Sequence, residues 1–263
     1  MTRVSLDRVA LSNVVERLRA AGCVFAEEEA ALLHSAAVTA NELAALVERR
    51  VAGQPLEHIL GWAEFCGLRV AVEPGVFVPR RRSEFLATTA VASSPNAAVI
   101  VDMCCGSGAL ALVLGVRLPD AQLHAVDIDP RAVSCARVNI ALIGGEIHEG
   151  DLFDALPTQL SGRIDLLVAN APYIPTESIA FMPAEARDHE PLIALDGGPD
   201  GLDIQRRIVA SAPQWLAPGG QLLVETSEQQ APETAGFFDA AGLESSIHRG
   251  DDVDATVVVG VKA

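Results

Sequence analysis

V-I-V-D-M-C-C-G-S-G-A-L-A-L-V-L-G, residues 99–115, runs from an apolar strand through a glycine turn into a helix. Gly106 and Gly108 lack a Cβ, so backbone here can come close to a ligand. The helix start beyond them offers N–H groups that have no partner within the helix. About twenty residues on, A-V-D-I-D (125–129) closes a second apolar strand at Asp127, where a carboxylate can accept both hydroxyls of a ribose.

The same rhythm continues from about Ser83 onward. Strands are expected near 98–103, 122–127, 146–149, 164–169 and 220–226, with helices or loops between them. That pattern describes an open, mostly parallel α/β sheet that binds ligands at the C-terminal ends of its strands. The chain closes with L-E-S-S-I-H-R-G (243–250) and, after the polar D-D-V-D, A-T-V-V-V-G-V-K (255–262). These read as an antiparallel hairpin at the sheet edge.

Upstream, the first 50 or so residues read as helices. Val14, Val15, Leu18, then Leu32, Leu33, Ala36 and Ala37 recur at helical spacing, and Gly22 separates the first helix from the second. A third helix is expected from an N-cap at Asn41 to about Ala52. The connector that follows alternates around Leu68, Val70 and Val72 and suggests a small β-hairpin. The expected division is a helical substrate-docking domain (1–60), a hairpin linker (61–82) and a ligand-binding α/β domain (83–263). No internal repeat or low-complexity segment is visible.

Composition narrows the function. The chain has 263 residues and is half hydrophobic, enough for one or two domains. No apolar stretch nears the roughly 18 residues of a membrane span. M-T-R-V-S-L-D-R-V-A carries charge where a secretion signal needs its apolar core, so none is expected. Five scattered cysteines fit a reducing cytoplasm. Six histidines do not cluster along the chain, so no metal site is expected. With a net charge of −16 and Lys262 as its lone lysine, the chain lacks the basic surface that direct nucleic acid binding requires. The run Arg80-Arg81-Arg82 reads as a solvated cluster. An acidic enzyme suits a basic protein partner.

The glycine loop alone admits two cofactors. G-S-G-A-L-A fits the dinucleotide fingerprint G-x-G-x-x-G/A. It also fits an S-adenosylmethionine loop, which carries an acid four residues before the first glycine, the position of Asp102. The terminal hairpin favours the methyl donor. N-A-P-Y (170–173) then follows the apolar run I-D-L-L-V-A, and asparagine and proline are poor strand formers that should end that strand.

With N-A-P-Y in place, the chain resembles the HemK family of glutamine N5-methyltransferases, which modify peptide-chain release factors. G-Q-P-L-E-H-I-L-G-W-A-E-F (53–65) resembles that family's linker, and V-F-V-P-R-R-R-S-E (76–84) resembles its P-R-P-x-T-E segment. E-G-D-L-F-D-A-L (149–156), H-E-P-L-I-A-L-D-G-G-P-D-G-L-D (189–203) and P-G-G-Q-L-L-V-E (218–225) follow in the family's order. The resemblance implies a Rossmann-like class I methyltransferase, with a seven-stranded sheet ending in an antiparallel hairpin and a helical N-terminal domain that docks the substrate. It also implies S-adenosyl-L-methionine as methyl donor, a release factor or related translation protein as partner, and a cytoplasmic setting.

In the family the motif is N-P-P-Y and holds the substrate amide. By resemblance, the Asn170 side-chain oxygen and the Ala171 carbonyl would accept its two N–H bonds, Pro172 would set the chain, and Tyr173 would wall the slot. Donor contacts would come from Phe77, Ser83, Asp102, Cys104, Gly106, Gly108, Asp127, Ile128, Asp151, Leu152 and Asn170. Asp151 could instead cap a helix, Phe77 could fill the hairpin core, and Glu190 reads as part of a structural turn.

Three departures stand out: alanine for proline at 171, Cys104 for a glycine, and loss of the second proline in P-R-R-R-S-E. The Cys104-Cys105 pair reads as small packing residues. Methylation of a nucleic acid base or a small amine, donor binding without catalysis, and nicotinamide-dependent oxidoreduction are the competing readings.

Overall fold

The computed structural model describes residues 8–263; residues 1–7, which hold most of the stretch behind the expectation of no secretion signal, lie outside them. Three helices open the chain: α1 (Arg8–Ala20), α2 (Ala26–Ala36) and α3 (Ala40–Val51). Gly22 sits at φ 94°, a left-handed conformation that lets the chain turn after α1. The three helices bury Leu18, Ala30, Leu33, Leu43 and Val47 against one another.

The N-cap of α3 is Thr39, not Asn41. Thr39 Oγ1 accepts the Glu42 N–H at 3.2 Å, and the Glu42 carboxylate accepts the Thr39 N–H at 3.0 Å. This reciprocal capping box satisfies two orphan donors and outcompetes a lone asparagine two residues later.

Short α4 (Leu56–Leu60) leads into the hairpin β1 (Trp62–Phe65) and β2 (Leu68–Ala71), paired from Trp62↔Ala71 to Phe65↔Leu68. The hairpin buries Phe65 and Val70 against Leu86 of α5 (Glu84–Ser93). The remaining elements are β3 (Val99–Met103), α6 (Ala109–Arg117), β4 (Gln122–Asp127), α7 (Pro130–Ile140), β5 (Glu146–Glu149) and β6 (Ile164–Ala169). They continue with α8 (Ala184–His189), α9 (Asp203–Trp215), β7 (Leu216–Thr226), α10 (Ala231–Ala240), β8 (Leu243–Gly250) and β9 (Ala255–Lys262).

The sheet has seven strands in the order β5-β4-β3-β6-β7-β9-β8. Strands β3 to β7 pair in parallel, while β9 lies antiparallel to both β7 and β8. The terminal hairpin therefore forms as expected, with its second strand inserted next to β7. Strand β7 starts at Leu216, four residues before the expected 220, and its pairing with β6 shifts register between Ile164 and Leu166.

Burial on both faces explains the near-continuous apolar strands. Val101, Met103, Leu167 and Leu222 pack under α9 and α10. Ile100, Leu166 and Leu223 pack under α5 and α6. After β5 the chain returns to the other side of β3, so a crevice opens where β3, β4 and β6 end. Such a switch point is where open α/β sheets bind ligands.

Candidate active site

A cavity of about 450 Å³ occupies this crevice. Of the expected site residues, Phe77, Ser83, Cys104, Gly106, Asp127, Ile128, Asp151, Leu152, Asn170, Ala171, Pro172 and Tyr173 line it. Asp102 and Gly108 do not. Asp102 is fully buried and its Oδ2 accepts the Ala111 N–H at 2.9 Å, tying β3 to the first turn of α6. Burial pushes its carboxyl up to about 8, the Ala111 N–H opposes this, and the nearby Asp127 charge adds to it. Its Oδ1 has no hydrogen-bond partner among the described residues. A Cβ on Gly108 would come within 3.0 Å of the Ala136 Cβ, so this glycine allows α6 and α7 to approach.

The glycine loop is held from two sides. Asp127 Oδ2 accepts the Gly106 N–H at 2.8 Å and its Oδ1 accepts the Asp129 N–H at 2.9 Å. Burial raises the Asp127 carboxyl above its usual range, and those two N–H groups oppose the shift. Each carboxylate oxygen still has lone-pair capacity for a further donor. Asn139 of α7 grips the Ser107 carbonyl at 2.7 Å and exchanges two hydrogen bonds with Ala71 of the hairpin.

Cys104 adopts φ 59°, the left-handed region that a glycine would take without strain. A side chain there carries a backbone cost of about 1–3 kcal/mol. Burial drives both the Cys104 and the Cys105 thiols well up, with Asp127 and Asp102 adding to it. Both are neutral thiols at pH 7, in keeping with packing and not with nucleophilic chemistry. None of the five cysteines forms a disulfide.

Asp151 makes no capping hydrogen bond to the short helical turn 152–155 after it; its carboxylate pairs with Arg207 at 2.7 Å. Phe77 faces the cavity with the Arg80 guanidinium 4.8 Å over its ring.

The N-A-P-Y segment is braced at both ends. Asn170 Nδ2 donates to Ser83 Oγ at 3.0 Å, which leaves the amide oxygen for another donor. Tyr173 O–H donates to Glu225 Oε1 at 3.2 Å, and Arg82 lies 3.4 Å from the same oxygen. Burial raises the Glu225 carboxyl, while Ser83, Arg82 and Tyr173 oppose the shift. Burial and the Glu225 charge both raise the Tyr173 phenol, so it stays protonated.

The solvated reading of Arg80-Arg81-Arg82 holds for Arg81, which is exposed, and is corrected for its two neighbours. Arg80 pairs with buried Glu190 at 2.5 Å and Arg82 with buried Glu225, because each arginine meets an acid from a distant segment. Glu190 also accepts the Val78 N–H at 3.2 Å, which makes it the structural clamp that its turn position suggested.

Glu225 and Arg207 were not singled out from sequence, and Arg82 only as part of a basic run. The signal for Glu225 was present in P-G-G-Q-L-L-V-E, where an acid ends an otherwise apolar strand.

The A-L-D-G-G-P-D-G-L-D stretch (194–203) backs the motif. Ile174 exchanges hydrogen bonds with Leu195 and Gly197 at 3.1 and 2.9 Å. A Cβ at Gly201, which sits at φ 80°, would overlap the Tyr173 carbonyl. That carbonyl also accepts from Gln230 Nε2 at 3.0 Å. Above the slot, Glu185 of α8 lines the cavity and pairs with Arg50 of α3 at 2.9 Å, which joins the helical module to the cavity wall.

The expectation that no histidines cluster also needs correction. His124 Nδ1 and His148 Nε2 lie 3.0 Å apart on neighbouring β4 and β5. Sequence spacing hides this contact, because parallel pairing joins positions 24 apart.

A seven-stranded sheet with its antiparallel end, a glycine loop at the switch point and an acid closing the next strand define a class I S-adenosylmethionine-dependent methyltransferase. The Methyltransferase small domain family model matches residues 67–184. A solved methyltransferase from Pyrococcus furiosus has the same fold, with a TM-score of 0.58 at 14% identity over 86% of this chain and 100% of that one.

A release factor glutamine methyltransferase from Geobacter sulfurreducens is 44% identical over 77% of this chain and 72% of its own length. One from Mycolicibacterium smegmatis is 42% identical over 80% and 72%. A 4-amino-L-phenylalanine/4-methylamino-L-phenylalanine methyltransferase from Streptomyces pristinaespiralis is 37% identical over 74% and 69%. The chain belongs to the release factor glutamine methyltransferase family. Among the described residues, no helix is long and apolar enough to cross a membrane.

Proposed function

We propose that this protein transfers a methyl group from S-adenosyl-L-methionine to the side-chain nitrogen of a glutamine in a peptide-chain release factor. The observation that carries the reading is Asn170: its amide is oriented by Ser83, and it lines the same cavity as Asp127. Such a substrate places the reaction in the cytoplasm, which suits five unpaired cysteines.

The residues fit the donor. Asp127 offers a carboxylate to a ribose, Ile128 and Leu152 offer apolar contact to a base, and Gly106 leaves backbone open beside them. When bound, S-adenosyl-L-methionine supplies an electrophilic methyl group on a cationic sulfur.

The chain's own work is positioning. A glutamine nitrogen is a poor nucleophile because its lone pair is delocalised into the carbonyl. The Asn170 Oδ1 and the Ala171 carbonyl accept its two N–H groups, which aims the lone pair away from both. The Tyr173 ring walls the slot, and Glu225 holds its hydroxyl. Orientation of this kind supplies about 7–11 kcal/mol of a bimolecular barrier, so no strong base is required. The nitrogen so aimed would take the methyl group that the bound donor supplies, leaving the thioether product, and the proton it then carries, made acidic by the new bond, would pass to water. Alanine at 171 keeps the carbonyl that proline would present, and Pro172 after it restrains it to an extended conformation.

The test is mass spectrometry of release factors incubated with the protein and donor. One methyl on the glutamine of the Gly-Gly-Gln loop, absent with Asn170→Ala, supports the reading. No methylation despite donor binding refutes the substrate. Since one relative carries an aromatic amine in its name, free 4-amino-L-phenylalanine belongs in the same assay as a second acceptor.

A further inference from the structure

We propose that His124, Glu146 and His148 form a binding site for one divalent transition metal ion at the β4–β5 edge of the sheet, outside the active-site cavity. His124 stands opposite Glu146 in the strand register, and Val126 stands opposite His148. Because side chains alternate along a strand, positions 124, 146 and 148 share one face.

The ligand atoms converge. His124 Nδ1 is 3.0 Å from His148 Nε2 and 3.8 Å from Glu146 Oε2, and one such atom from each residue falls within 4.8 Å of the others. In a tetrahedral site with bonds of roughly 2.0–2.1 Å, ligand atoms lie about 3.3 Å apart. The two distances bracket that value. Two imidazoles and a carboxylate with a water in the fourth position form a donor set suited to zinc and its neighbours.

His124 is buried while Glu146 is exposed, so the three ligand atoms meet at the border between the sheet and solvent, where a water can complete the coordination.

The site would act on the strand edge. β5 is four residues long and, among the described residues, pairs only with β4. It leads directly into Gly150, Asp151 and Leu152, which line the cavity. A metal ion bridging both strands would pin this edge.

The experiment titrates the chelator-treated full chain with Zn²⁺ by calorimetry and with Co²⁺ by visible absorption. The expected result is one saturable equivalent, tetrahedral cobalt bands without a sulfur charge-transfer band, and slower amide exchange over 146–149. His148→Ala and Glu146→Gln should each weaken binding on the order of tenfold or more. His248→Ala, at an exposed site on β8, should leave it unchanged. Glu146 is exposed, so Glu146→Gln keeps the fold if His148→Ala does not. Wild-type affinity in the folded variants, absence of saturable binding, or a sulfur band pointing to the cysteines would each overturn the proposal.

Discussion

Ser83 Oγ accepts a hydrogen bond from Asn170 Nδ2 at 3.0 Å, across 87 residues of sequence. One hydroxyl at the start of α5 therefore decides which atom of the Asn170 amide is free. At the other end of the motif the buried Glu225 carboxylate accepts from the Tyr173 hydroxyl. Ser83→Ala should lower the single-turnover methyl-transfer rate about tenfold, the loss of one hydrogen bond of roughly 1.4 kcal/mol. Ser83→Thr keeps the hydroxyl and should retain most of the rate. Asn170→Ala removes an acceptor outright and should cost on the order of 10²–10³-fold, in the range seen when one positioning hydrogen-bond group is deleted.

Ala171 is buried and precedes Pro172, whose ring already disfavours a helical backbone before it. Restoring the family's residue with Ala171→Pro should stabilise the chain by about 0.4–1 kcal/mol, through a stiffer unfolded state. Urea unfolding measures this. Turnover should stay within a few-fold, since the carbonyl is retained; a large loss of stability would mean that the backbone at 171 is not one that proline can adopt.

Asp127 organises the Gly106 amide and, in the proposed complex, the donor ribose. Asp127→Asn keeps the shape and removes the charge. Calorimetry with S-adenosyl-L-methionine should show binding weaker by about ten- to a hundredfold, from hydrogen bonds to a charged group worth roughly 1.5–3 kcal/mol. Unchanged affinity would remove Asp127 from the donor site.

Asp102 is fully buried with one oxygen unpartnered, and its carboxyl is pushed up to about 8. Below about pH 4 the group is protonated in both folded and unfolded chains and has no effect on the slope. Between about 4 and 8 the unfolded chain ionises it and the folded chain does not, so this group's contribution to stability falls as pH rises. Asp102→Asn cannot titrate. The stability difference, variant minus wild type, should therefore grow across that window in the ligand-free protein, by up to about 1.4 kcal/mol per pH unit. Melting curves of both proteins at pH 5, 6 and 7 test this, and a flat difference would refute a raised Asp102.

Much of this molecule was legible from local pattern. Apolar runs marked β3, β4 and β6 to within a residue or so, because strands buried on both faces leave little else to place there, while the polar edge strand β5 stood out only between its flanking glycines. The glycine loop, Asp127 and Asn170 were legible for a related reason: each marks a strand end, where local chemistry changes abruptly. The Thr39 cap was legible too, as T-A-N-E, but competed with a plausible asparagine two residues on.

What only the tertiary structure decided are the pairings between segments far apart in the chain. No sequence period predicts that Arg80 meets Glu190, that Arg82 and Tyr173 share Glu225, or that His124 meets His148. Nor does composition separate Asp127, which lines the cavity, from Asp102, which ties a helix to the sheet behind it. Periodicity records which side of an element is buried, since burial acts residue by residue. Partnership between polar groups depends on which elements the topology makes neighbours, and on the few ångströms within which a hydrogen bond or ion pair can form.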